Sequence, residues 1–435
     1  MGLAAANRRA LGSNSPVDFF FPDSQDQIDP SFDFEREASS LDRVRQRDDR
    51  YAHEVISPAP YTGILLSKAL VDGKGSKYTF AQRHRLYRLG VRRFFRLDDS
   101  DGPTLATLGD CGAFNYVREE KPPYTVEEVV DFYEECGFDY GISLDHVILG
   151  FIPDATDTVR PLREAPQDWV DRQELTLEYA DAFLRRHRAI SGRFAPLGVA
   201  QGWSPTSYAH AVQKLQTMGY SFIALGGMVP LKTAEIEACL QAIEDVRHPE
   251  THFHLLGITR TDLVRHYERY GVTSFDSTSP FRQAFKDERD NYYSPERKYV
   301  AVRVMQIDAN HRVKQRVLAG QLDQNKGREL ERACLDSLAA YDRDDCSIEV
   351  ALEALMRYET FLEEPGRRSK LNLQDREAEY WRTLHDRPWR DCACSICQQV
   401  GINVVIFRGT ERNKRRGFHN LYVFNNLLHK ELAAA

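Results

Sequence analysis

Two sets of residues in this chain have the types and spacing to do chemistry: aspartates that end short apolar runs, and a cluster of cysteines near residue 395. Gly271-Val-Thr-Ser-Phe-Asp276 is a β-rich run that finishes on an aspartate and turns at Ser277-Thr-Ser-Pro280. A carboxylate at the C-terminal lip of a buried strand is placed to act as a nucleophile or general base. A lone strand-end aspartate usually does no more than shape a turn, so the weight rests on recurrence. Asp110 closes Leu105-Ala-Thr-Leu-Gly-Asp, Asp145 stands in Ser143-Leu-Asp-His146, Gln201 stands in Val199-Ala-Gln-Gly202, and Gly226-Gly227 closes a further run. Gathered at one mouth, such groups suit glycosidic chemistry. One carboxylate attacks an anomeric carbon and a second moves the proton of the leaving group. A third accepts the N–H edge of a flat heterocycle, and glycines let backbone amides approach its ring.

Cys392-Ala-Cys394-Ser-Ile-Cys397 followed by His419 offers three thiolates and an imidazole. That is the donor set of a closed, structural Zn²⁺ site with no open position for a catalytic water. His429 also follows and is an alternative fourth ligand.

The elements that must position these groups are read from the apolar pattern. Strand-like runs lie at 62–66, 91–97, 105–110, 140–145, 196–201, 221–227, 252–257 and 272–276. Helical patterns with caps separate most of them. Thr125-Val-Glu-Glu128 is a capping box opening a helix to about Cys136, Ser204-Pro205 opens another that Gly219 stops, and Thr233 and Thr261 cap two more. Eight strands alternating with helices predict an α/β fold, a (β/α)₈ TIM barrel over residues 56–280. A doubly wound open sheet is the alternative, although no GxGxxG follows the first run. Residues 1–55 read as a polar arm in which Phe19-Phe20-Phe21 docks on the core, with docking on a partner as the alternative. Residues 281–391 read as a charged, mostly helical insertion, and residues 392–435 as a C-terminal zinc-binding subdomain ending in an amphipathic stretch from Leu421 to Leu432.

The chain has 435 residues and a formal net charge of −7, which excludes a globally basic nucleic-acid coat. Local basic patches remain: Arg83, Arg85, Arg88, Arg92, Arg93 and Arg96 form one, and Arg408, Arg412, Lys414, Arg415 and Arg416 a second beside the cysteines. The second is the one expected to meet phosphates. No apolar run approaches the ~20 residues of a membrane span, and no signal peptide is evident. Scattered cysteines suit a reducing compartment. The expectation is a soluble, cytoplasmic protein with no membrane partner.

Taken in order, Gly109-Asp-Cys-Gly-Ala-Phe114, Leu144-Asp-His146, Val199-Ala-Gln-Gly202, Ala224-Leu-Gly-Gly227, His254-Leu-Leu-Gly257, Phe275-Asp-Ser-Thr-Ser-Pro280 and the cysteine cluster resemble the motifs of the tRNA-guanine transglycosylases. These are zinc-containing TIM-barrel enzymes that exchange guanine for a 7-deazaguanine. The resemblance runs from about residue 60 to 280 and from 392 to about 432. It implies that Asp276 attacks C1′ of the target guanosine, giving a covalent glycosyl-enzyme intermediate and retention overall. It implies that Asp110 is the general acid/base. Asp145 would bind the N–H edge of the base with Gln201 and the Gly226-Gly227-Met228 segment, and Phe114 and Leu256 would sandwich the ring. Asn115 takes the place of a family glutamine. The exchange itself needs no ATP or redox cofactor.

Departures from the pattern narrow the reading. Cys111 and Ala113 replace a serine and a glycine. After Gly227 the chain continues Met228-Val-Pro-Leu-Lys232, without the glutamate that helps bacterial enzymes accept an aminomethyl base, which implies the nitrile preQ0. The segment of over 100 positions between Asp276 and Cys392 looks like the branch that installs 7-deazaguanines into DNA. A tRNA-directed enzyme of queuosine or archaeosine type is the alternative, and no RNA-binding PUA module is recognisable after the cysteine cluster. A catalytically silent, zinc-containing binding subunit is a third reading, opposed by the presence of both Asp110 and Asp276. A target base must leave its stack to reach Asp276, from double- or single-stranded DNA. The chain has no GxxxxGK[ST] loop, so driven opening of DNA implies a companion ATPase.

Overall fold

A computed structural model describes residues 17–74, 76–98, 104–153, 164–258, 266–363 and 371–433. Eight parallel strands close into a barrel: β1 Asp18–Pro22, β2 Gly63–Ser67, β3 Ala106–Asp110, β4 Tyr140–Ile142, β5 Ala195–Ala200, β6 Phe222–Leu225, β7 His252–Leu255 and β8 Val272–Asp276. Phe19 of β1 is in register with Phe275 of β8, and that pairing closes the ring. Strands of such a barrel are buried on both faces and therefore read as continuous apolar runs. Phe20, Leu65, Leu108, Tyr140, Ile142, Leu197 and Val199 fill the interior.

Seven of the eight expected strand runs are strands, and the eighth is not. Residues 91–94 complete the helix Phe80–Phe94, in which Gly90 alone departs from helical geometry, at φ +77°, and residues 95–97 form the turn that ends it. Val91, Phe94 and Phe95 are buried at the i, i+3, i+4 spacing of a helix face. The missing strand is β1, inside the segment expected to be an arm. Phe19-Phe20-Phe21 is part of the barrel wall, not a docked appendage.

The helices follow their caps. Thr125 and Glu128 exchange the two capping-box bonds, at 3.2 and 2.8 Å, and Gly137 ends that helix in the left-handed region at φ +70°. Ser204 caps Pro205–Met218, and Gly219 stops it at φ +104°. The cap of Thr233–Glu244 is Lys232, one residue before the threonine expected to hold it. Thr261 lies outside the described residues. Tyr133, on the helix Val126–Cys136, lies flat over Gly109 of β3 and Gly141 of β4; a Cβ at either glycine would come within 2.3 or 2.5 Å of its ring. Its hydroxyl donates to the Ile142 carbonyl at 3.0 Å. One buried aromatic thus fixes the heights of the two strands that lead to Asp110 and Asp145.

The chain divides into two units. The first holds the barrel: residues up to Gln25, Tyr61–Thr278 and the segment from Leu428 onward. The second combines Asp26–Pro60 with Ser279–Leu427. Most of the expected arm, the helical insertion and the cysteine cluster therefore belong to one folded body. Its helices include His311–Leu318, Gln324–Asp342, Ile348–Leu362, Leu373–Asp386 and the first part of Gly409–Ala433. A buried ion network ties it together. Glu359 accepts from Arg303 Nε at 2.8 Å and from Arg376 at 2.7 Å; Arg303 also pairs with Asp287 at 3.0 Å, and Arg376 with Glu288.

Candidate active site

The C-terminal ends of β3 to β8 bring the expected side chains to one mouth of the barrel. Asp110 ends β3 opposite Ser67 of β2, whose hydroxyl donates to it at 2.7 Å. The surrounding walls desolvate this carboxyl and raise its pKa, and the nearby charge of Asp276 adds to the rise against the opposing Ser67 bond. Asp110 is therefore an acid held closer to neutral pH than an ordinary aspartate.

Asp145 lies three residues beyond β4 and is 3% exposed. Gln201 Nε2 donates to one carboxyl oxygen at 2.6 Å and the Cys111 thiol to the other at 3.0 Å. Tyr116 donates its hydroxyl to the Cys111 sulfur at 3.0 Å and lies 3.1 Å from the Asp145 carbonyl, so a short polar chain backs this carboxyl. Burial pushes its pKa up to about 7, aided by the charge of Asp110 and opposed by the bonds from Cys111 and Gln201.

Gln201, beyond β5, also accepts from the Ile148 amide at 3.2 Å. A Cβ at Gly226 would fall 2.2 Å from the Gln201 amide nitrogen, and one at Gly227 would fall 2.4 Å from the Ile148 carbonyl, where φ is +74°. Both positions demand glycine, the first for space and the second for conformation as well. Met228 is wholly buried behind them, whereas Phe114 stands 52% exposed on the turn after β3. Asn115 is exposed beside it and donates to the Gly112 carbonyl at 3.2 Å, and Leu256 packs partly buried on the barrel core.

Asp276 ends β8 and is 8% exposed. Among the described residues both of its hydrogen-bond donors meet Oδ1: the Gly257 amide at 3.0 Å and His254 Nε2 at 3.3 Å. His254, Ser67, Tyr116 and the bond from Cys111 to Asp145 were not anticipated. A signal for His254 existed, because it sits on β7 directly opposite Ser274 of β8, two residues before Asp276 on the same face.

The second unit contains the metal-binding candidate. The ligand atoms of Cys392, Cys394, Cys397 and His419 all lie within 4.8 Å of one another. The three sulfurs stand 3.5, 3.5 and 3.3 Å from His419 Nδ1. Those separations suit a tetrahedral ion with ligand distances of about 2.0–2.3 Å. His419 Nε2 meets the Tyr293 carbonyl at 2.7 Å, which leaves Nδ1 to face the sulfurs. Tyr292 stacks on the same imidazole at 4.0 Å. His419 completes the set, and His429 is exposed elsewhere.

The second basic patch does not present its charges. Arg408, Arg412, Arg415 and Arg416 are at most 5% exposed. Arg408 pairs with Glu331 at 2.6 Å and Glu37 at 3.2 Å; Arg412 meets Glu37 and the Phe34 carbonyl. Arg415 pairs with Glu411 at 2.6 Å and Lys414 donates to the Gln27 carbonyl at 2.6 Å. Arg416 donates to the carbonyls of Val404, Ile406 and Ala284. Of these five residues, expected to hold phosphates, Arg408, Arg412, Lys414 and Arg415 instead bond residues 27–37, and Arg416 ties the helix that begins at Gly409 to the carbonyls of Val404, Ile406 and Ala284.

A closed (β/α)₈ barrel with three carboxylates at the C-terminal ends of its strands and, in the same chain, a Cys₃His group is the arrangement that the resemblance to guanine transglycosylases implies. No family model matches the chain. Over 429 residues it is 49% identical to a DNA-guanine transglycosylase of Salmonella montevideo, covering 96% of this chain and 98% of that protein. Over 239 residues it is 25% identical to the tRNA-guanine(15) transglycosylase of Thermococcus onnurineus (strain NA1), covering 54% of this chain and 36% of that one. The chain belongs to the DNA-guanine transglycosylase family and is a pentosyltransferase. Among the described residues, no helix is long and apolar enough to cross a membrane.

Proposed function

We propose that this enzyme replaces guanine in DNA with a 7-deazaguanine, preQ0, through a covalent glycosyl ester on Asp276. The observation that carries the reading is the division of labour among three carboxylates at one mouth. Asp276 accepts from the Gly257 amide and the His254 imidazole on one oxygen and has no arginine or lysine paired to it among the described residues, as a nucleophile requires. Asp110, raised by burial, holds the proton that departing guanine needs and later takes one from the incoming base. Asp145, fixed by Gln201 and Cys111, receives the N–H edge of the base. Gly226 and Gly227 let the backbone approach the ring, Phe114 and Leu256 cover its faces, and Asn115 and Met228 complete the lip and the floor. Two displacements at C1′ give retention overall.

Met228-Val-Pro-Leu-Lys232 offers no carboxylate to a 7-aminomethyl group, which favours the nitrile. Cys392, Cys394, Cys397 and His419 would hold Zn²⁺, which braces the fold and takes no part in the exchange. The base is received flipped from its stack, with opening of duplex DNA left to a companion ATPase in the cytoplasm. A tRNA substrate is the second reading, favoured by the 25% identity to a tRNA-directed relative.

Nucleoside mass spectrometry on DNA and tRNA from cells carrying this protein and its neighbouring genes separates these readings. A deazaguanine in DNA that vanishes with Asp276→Ala is expected. The same mass in tRNA alone would overturn the substrate, and a DNA signal that survives Asp276→Ala would overturn the mechanism.

A further inference from the structure

His254 is wholly buried on β7, with no contact to solvent and the ring of Phe20 edge-on at 5.8 Å. An imidazole in such a place needs both nitrogens partnered, since an unmet buried polar atom is costly. Both are met: Nδ1 lies 2.8 Å from the Ser274 hydroxyl and Nε2 lies 3.3 Å from Asp276 Oδ1. Ser274 pairs with His254 across β7 and β8, and Asp276 follows on the same face, so strand register alone creates the series Ser274, His254, Asp276. An ionised carboxylate only accepts, so Nε2 carries the proton toward Asp276, and in the neutral ring the Ser274 hydroxyl donates to Nδ1.

We propose that His254 is a positioning residue that, with the Gly257 amide, commits Asp276 Oδ1 to accepting hydrogen bonds and leaves Oδ2 as the attacking atom. The proposal rests on the reading of Asp276 as the nucleophile. In the first displacement the Oδ2 lone pair forms the bond to C1′, and the C1′–N9 pair leaves with guanine as Asp110 delivers the proton. Oδ1 then becomes the carbonyl oxygen of the glycosyl ester. The His254 Nε2–H and the Gly257 N–H still point at it, and by drawing charge onto Oδ1 they make the carboxylate a better leaving group when the incoming base attacks. Two fixed donors at one oxygen thus serve both halves without moving.

The test is single-turnover trapping on single-stranded DNA of mixed sequence, with the covalent protein–DNA complex resolved on denaturing gels, alongside steady-state exchange of free preQ0. His254→Leu removes the donor while keeping bulk, and His254→Gln returns an amide N–H near the position of Nε2. We expect His254→Leu to form and resolve the complex about 10–100-fold more slowly with the KM for preQ0 nearly unchanged, in the range for loss of one fixed donor or orienting partner. His254→Gln should recover most of that loss. Should His254→Leu fail to fold, Ser274→Ala, which frees the imidazole to take the wrong tautomer, should slow the same steps by several-fold. A His254→Leu protein with normal trapping kinetics, or a Gln variant no better than Leu, overturns the inference. Asp276→Asn is the control that separates the two levels. If it forms no complex while His254→Leu is unimpaired, only the inference falls; if it still forms the complex, the nucleophile assignment itself falls.

Discussion

The barrel mouth and the second unit bury charge in opposite ways. At the mouth, Asp110, Asp145 and Asp276 are met by a hydroxyl, a thiol, an amide, an imidazole and a backbone N–H, with no arginine or lysine paired to them among the described residues. In the second unit, Glu359 is gripped by Arg303 and Arg376, and Arg408, Arg412 and Arg415 each have a carboxylate. Burial raises the pKa of Asp110 and Asp145 against the bonds they accept, whereas, against the same desolvation, Glu359 holds Arg303 more firmly charged than usual. Neutral donors leave a carboxylate reactive, and opposite charges make it structural.

That contrast can be broken at either end. The largest effect is expected from the metal. Removing it by chelation, or substituting Cys394→Ala, should unfold the second unit, since structural zinc contributes on the order of 10 kcal/mol in small domains. Metal analysis should find about one ion per chain, and stable metal-free wild type would remove this claim. Next comes Asp110→Asn, expected to slow guanine exchange by about 10²–10⁴-fold while the thermal midpoint holds or rises, because a desolvated acid is gone. A slower enzyme that also melts early would place Asp110 with the structural charges.

Glu359→Gln should do the reverse. It removes the carboxylate that Arg303 and Arg376 share and leaves them only Asp287 and Glu288, at a cost of up to about 3–5 kcal/mol, visible as a lower denaturation midpoint with exchange per folded molecule little altered. A midpoint equal to wild type would mean that the network contributes nothing net.

The smallest effect is a pH dependence. Asp145 titrates near pH 7 when folded and near 3.8 otherwise. A raised folded pKa contributes stability below about pH 4 that is lost as pH rises through 7. The ionised form offers acceptors on both oxygens to the N–H edge of a base and the protonated form offers fewer, so affinity for the proposed base should climb over the same window. Asp145→Asn should flatten the stability slope; a slope identical to wild type would assign it to other groups.

What the sequence revealed follows the same division. Asp110, Asp145, Gln201, Gly226-Gly227 and Asp276 were legible because strand ends are local and a parallel barrel must gather them. The barrel was legible too, but through two errors that offset each other. Asp18-Phe-Phe-Phe-Pro22 is only five residues with no alternation, and its parallel partners are distant in sequence. Val91-Arg-Arg-Phe-Phe reads as a strand by composition, yet Gly90 merely interrupts a helix there. The arginines at 408–416 were illegible for a different reason. A run of positive charge looks the same whether it faces phosphates or acids, and Glu37 and Asp29 lie more than 370 positions away. His254 falls between: its strand was found, but its role depends on cross-strand register.

The closure of the barrel by its first and last strands also sets a timetable for synthesis. β1 leaves the ribosome early but cannot bond to β8 until some 250 further residues have been added. At 5–20 residues per second that is a wait of roughly 10–50 s. Until then Asp276 has no strand to sit on, and the apolar β1 has an open edge of the kind that invites wrong partners. Asp29 waits longer still for Glu411, 382 positions on. The nascent chain therefore closes its barrel only after most of its polypeptide exists.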